Sequence, residues 1–167
     1  MKCPTCGDEH DLLEPSFRRP DAVVGLPRDE RAQRVKETDD LCAIWAGSDD
    51  EPHLYFVRCV LPVRLLDAEG DTAWGLWVQV AETDFHRIAG AWSDPDQASL
   101  PPMDAWIANQ VPNYPDTIGL PVTLRLTGPT TRPQLTLDPG STHPFATECL
   151  RGVCVHRVMD WLAPFMK

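Results

Sequence analysis

Three runs rich in β-branched and aromatic residues follow one another closely: LCAIWA at 41–46, LYFVRCVLPVRLL at 54–66 and TAWGLWVQVA at 72–81. Only the turn-forming clusters GSDDEP and DAEGD separate them, so the stretch 41–81 reads as three strands in an antiparallel meander. In the third run Trp74, Leu76, Val78 and Val80 share one face, while Gly75, Trp77, Gln79 and Ala81 share the other. A tryptophan on that second face marks a second covered surface.

The 17 prolines among 167 residues dictate short elements joined by stiff loops, because each proline fixes φ and removes a donor. After Leu26-Pro27 the segment RDERAQRVKE reads as a polar surface helix, its charges paired four residues apart. Thr83 can cap a helix in which Phe85, Ile88, Ala89 and Trp92 form one stripe. MDAWIANQV offers a shorter helix with Met103, Trp106 and Ile107 inward. The alternation of Val122, Leu124 and Leu126, then of Leu135 and Leu137, predicts a hairpin over 120–138. Val155, Val158, Met159 and Leu162 predict a C-terminal helix over 150–165. Together these give one α+β domain over 1–167, a mainly antiparallel sheet of about five strands with peripheral helices.

A net charge of -10 repels phosphate backbones, which excludes nucleic acid as a partner class. No run approaches the roughly eighteen apolar residues of a membrane span, and residues 1–20 lack a signal-peptide pattern, so a cytoplasmic protein is expected. There the six cysteines are thiols or metal ligands rather than a disulfide framework.

The chain begins MKCPTCGDEH. Cys-x-x-Cys lets one tight turn present two sulfurs to a tetrahedral zinc ion, and Gly7 can take up the positive φ of such a knuckle. A redox motif needs a strand before it and a helix after it, and Cys3 has only two residues ahead. Residues 1–15 are therefore expected to form a zinc-knuckle-like segment around Cys3 and Cys6. His10 is close enough along the chain to be a third ligand, and Cys42, heading the first strand, is a candidate fourth. Cys149 and Cys154 in CLRGVC form a second close pair and compete for that role; Cys59, in mid-strand, is expected in the core.

CPTCGDEH, DDLCAI, YFVRCVLPV, WGLWVQVAETDF, YPDTIGL and THPFA resemble, in this order, a bacterial family of uncharacterised proteins known as DUF2199. The similarity spans almost the whole chain. It implies that Cys3, Cys6 and His10 act as a unit and strengthens Cys42, and it marks Arg58, Trp74, Gly75, Trp77, Asp116 and His143 as matching positions. Cys59 departs from the family's glycine, and Cys149 and Cys154 match no family cysteine. The resemblance carries no reaction.

No nucleophile elbow, phosphate-binding glycine loop or His-Glu-x-x-His occurs. His143 and Asp116 read as a loop histidine and a turn residue, and Arg58 and Arg125 as strand arginines that snorkel or pair with carboxylates. The sequence points first to a small zinc-stabilised binding or interaction protein without catalytic activity, whose acidic surface selects a basic or neutral protein partner. A zinc hydrolase with water in an open coordination position, activated by Asp8 or Glu9, is the alternative. Regulatory thiols without metal are a third reading.

Overall fold

A computed structural model describes residues 13–48 and 53–167. Within them the strands are β1 (Val35–Glu37), β2 (Leu41–Ile44), β3 (Leu54–Arg64), β4 (Asp71–Val80), β5 (Met103–Ile107), β6 (Pro121–Arg125) and β7 (Gln134–Leu137), each antiparallel to the next. β3 organises the sheet. One of its edges pairs with β4 from Tyr55–Val80 to Arg64–Asp71. Its other edge is divided: β2 takes Leu54 to Val57, and β7 meets Val60 in parallel register with Gln134. There the Val60 N–H donates to the Pro133 carbonyl at 2.9 Å. This contact closes β3 to β7 into a five-stranded barrel, with β1 and β2 extending the sheet beyond it. Pro62, which cannot donate to a ladder, lies past the last β7 partner on that edge.

The α+β class and the mainly antiparallel sheet hold, and the sheet closes into a barrel, which the sequence reading did not include. Closure joins strands distant in sequence, which local patterning does not record. The segment MDAWI is β5 and not a helix: Met103, Ala105 and Ile107 point inward, and Trp106 is 39% exposed. Five residues fit both periodicities, and the partner edges of β4 and β6 select the extended form. The polar helix after Pro27 is α2 (Arg28–Arg34), following the single turn α1 (Asp21–Val24). Its expected continuation through VKE becomes β1, because Val35 to Glu37 fill the free edge of β2.

α3 (Glu82–Ala91) packs Ile88 into the core; Ala81, not Thr83, is its N-cap. The expected C-terminal helix is α5 (Val155–Leu162), shorter than 150–165, and a further helix, α4 (Pro144–Arg151), precedes it. Gly152 separates them at φ +91°, and Val153 bridges to Leu65 at the end of β3. The inward faces of the strands and the apolar faces of α4 and α5 enclose the main core, around Trp74, Leu76, Leu124, Phe145 and Trp161. Each such buried side chain contributes about 1.5–3 kcal/mol of transfer free energy.

The outer face of β2, β3 and β4 carries a second cluster of Val23, Cys42, Ile44, Phe56, Trp77 and Ala108. The N-terminal segment covers it. Gly75 exchanges two hydrogen bonds with that segment: its N–H donates to Pro15 O and its carbonyl accepts from Phe17 N, both at 2.9 Å. Trp77 Nε1–H donates to Phe17 O at 3.2 Å. The surface expected from Trp77 is thus closed by residues 15–26 of the same chain.

Candidate functional site

Along β3 the residues that point away from the barrel are Phe56, Arg58, Val60 and Pro62. Phe56 is sealed by the second cluster, and the next three remain partly exposed. Arg58 stands where cover by the N-terminal segment ends. Its backbone N–H is tied to Asp40 O at 2.8 Å, which fixes the strand against the turn before β2. Its side chain lines a cavity of about 300 Å³ with Arg18 and Arg19 from the N-terminal segment and Glu37, Thr38 and Asp39 from the end of β1 and its turn.

The charges in this cavity do not cancel locally. Arg19 is engaged with Glu37 through hydrogen bonds of 2.8–3.2 Å. Arg132, from the β6–β7 loop, donates from Nε to Asp40 Oδ1 at 2.7 Å. Arg58 Nε is buried and has no hydrogen-bond partner among the described residues. Burial pushes the Arg58 guanidinium pKa down and the nearby Arg132 adds to this; Asp40 and Asp39 oppose it without prevailing. Asp39 is exposed, so water screens its charge. Beyond the Asp40–Arg132 pair opens a wider cleft of about 710 Å³, walled by Val60, Pro62, Trp92, Pro129 and Gln134.

The other candidates fall in different places. Cys3, Cys6 and His10 lie outside the described residues. Cys42 is fully buried in the second cluster, and burial together with Glu37 pushes its thiol pKa up to about 12, against a smaller lowering by Arg19. Cys59 is in the barrel core as expected, its thiol pushed well up by burial. Cys149 is buried on α4, whereas Cys154, at the N-cap of α5, is partly exposed. Among the described residues no group of three or more His, Cys, Asp or Glu side chains could hold a metal.

His143 is the N-cap of α4: Nδ1 accepts from Phe145 N at 3.1 Å, so the ring hydrogen sits on Nε2, which donates to Asp116 O at 2.9 Å. Asp116 accepts from Ile118 N within its own turn. Both residues hold local structure. Arg125 is exposed on β6. Trp74, Trp77 and Trp161 are core, while Trp45 is 46% exposed.

Sequence reasoning missed Arg18, Arg19, Asp40 and Arg132 as neighbours of Arg58. The available signal was Arg58 itself, an ionised residue in the middle of the apolar run YFVRCV.

A barrel with a sheet extension, closed on its outer face by an N-terminal segment leading out of a Cys-x-x-Cys motif, defines a small protein built around β3. The chain belongs to the DUF2199 family, described as uncharacterized proteins conserved in bacteria, whose model matches residues 2–153. No curated protein and no solved structure matches it. No helix among the described residues is long and apolar enough to cross a membrane.

Proposed function

We propose that the protein is a small zinc-stabilised binding protein in which Cys3, Cys6, His10 and Cys42 hold the ion and the clefts beside Arg58 offer the binding surface. The observation that carries this reading is the anchoring of residues 15–19. Phe17 packs against the cluster that contains Cys42, and Arg19 grips Glu37, the register partner of Cys42. The segment leading out of the cysteine motif therefore lies on the same face of the sheet as the fourth proposed ligand.

The donor set suits zinc, which prefers thiolate and imidazole. Burial pushes the Cys42 thiol up to about 12, so it is neutral in its apolar cluster, and a zinc ion would have to displace its proton to take the sulfur as a ligand. Binding would release that proton. When bound, zinc would supply a cross-link between the N-terminus and β2.

The test is the metal content of protein purified under reducing conditions, with X-ray absorption at the zinc edge. One ion per chain with three sulfurs and one nitrogen is expected. Cys3→Ser with Cys6→Ser should remove the ion while the main thermal transition survives, because the barrel core lies elsewhere. Zinc-free wild type would sink the proposal, and an exchangeable water on the ion would turn it into the hydrolase reading.

A further inference from the structure

We infer that the cavity at Arg58 is an oxyanion site, taking one phosphate or carboxylate group between Arg58 and Arg18. This goes beyond the zinc reading and needs no metal. An arginine in a sheet normally lays its stem on apolar surface and keeps its head in water or in a carboxylate fork. Arg58 does neither at Nε, which is buried without an acceptor among the described residues. A buried ionised donor left unpaired is costly. An oxygen of a ligand seated in the cavity would complete it.

Carboxylates close by do not serve. Glu37 is occupied by Arg19 and Asp40 by Arg132, and Asp39, which also lines the cavity, is exposed and makes no hydrogen bond to Arg58. Among the described residues, none hydrogen-bonds the Arg58 guanidinium. Arg18 lines the same cavity, is itself exposed, and has no carboxylate partner among the described residues. The planar fork of a guanidinium matches two oxygens of a phosphate or carboxylate, which fits it for this role better than a lysine.

Size and field restrict the ligand further. About 300 Å³ admits a small molecule or one terminal group of a larger one. The net charge of -10 repels polyanions at long range, whereas the arginine pair at the cavity acts over a few ångströms. A small oxyanion is thereby selected over nucleic acid.

The experiment titrates full-length protein of known zinc content with inorganic phosphate and, separately, with succinate at constant ionic strength. It follows the arginine Nε–H resonances by NMR. A saturable shift of the Arg58 signal is expected, and Arg58→Gln and Arg18→Gln should each weaken binding about tenfold or more. A response to phosphate alone identifies a phosphate ligand, and one to succinate alone a carboxylate. No saturable response to either anion up to about ten millimolar overturns the site. So does equal binding by Arg58→Gln. If that variant does not fold, Arg18→Gln and Arg58→Lys decide, because the first is exposed and the second keeps the charge but loses the fork. Loss of zinc with anion binding intact would count against the metal reading alone.

Discussion

Gly75 shows how one residue sets a docking geometry. Its two hydrogen bonds bring the N-terminal segment so close that a Cβ at this position would lie 2.6 Å from Ser16 Cβ and 3.3 Å from Ser16 Cα. Gly75→Ala must lift that segment off β4, at a cost of about 1–3 kcal/mol. Gly90 on α3 makes the contrast, because a Cβ there meets nothing within 4 Å and Gly90→Ala should stabilise by up to about 1 kcal/mol. Urea denaturation of the two variants measures both. Equal stabilities would show that the segment is not held as described. The sequence placed Gly75 on the outer face beside Trp77, but what lies on that face comes from residues 15–17, about sixty positions away. The same distance hid the Arg58 cavity, whose walls come from three separate parts of the chain.

At the level of elements, long runs rich in β-branched and aromatic residues were legible as strands. β3 and β4 were readable because their eleven and ten residues form such runs between turn clusters. β5 was not, since Met103, Trp106 and Ile107 satisfy helical spacing as well as Met103, Ala105 and Ile107 satisfy the extended one. The break between α4 and α5 left a mark in CLRGVC, yet its consequence is tertiary. At φ +91° Gly152 turns the chain so that Val153 N–H donates to Arg64 O at 3.0 Å and Leu66 N–H donates to Val153 O at 2.9 Å. A Cβ on Gly152 would meet Arg64 O at 2.8 Å. Gly152→Ala combines that clash with a conformation costing L-residues about 1–2 kcal/mol, so a loss of at least about 2 kcal/mol is expected. A calorimetric midpoint unchanged from wild type would contradict it.

Across the whole molecule, α4 and α5 are tied to the loop after β5 by one polar network. Tyr114 donates to Glu148 and accepts from Trp161 Nε1 at 2.8 Å and from Arg157 Nη2 at 3.2 Å. Arg157 Nε donates to Glu148 Oε1 at 2.6 Å. Burial pushes the Glu148 carboxyl pKa up, but hydrogen bonds from Arg157 and Tyr114 and the charges of Arg157 and Arg151 outweigh it, leaving the pKa below the ordinary value. A carboxyl held low in the fold contributes stability above its unfolded pKa of about 4.3. That contribution is lost as the pH falls through the lower folded value. Glu148→Gln should therefore be less stable at neutral pH and show a shallower loss between pH values of about 5 and 2. Denaturation curves across that window check it, and parallel acid limbs would show that the network contributes no pH dependence.

The bond from Val60 to Pro133 closes the barrel across three intervening strands. Bringing such distant segments together costs loop-closure entropy that the β4, β5 and β6 pairings must first recover, strand by strand. Loop-closure cost thus favours the meander of β2 to β4, built from near neighbours, ahead of closure, which needs β7 in place.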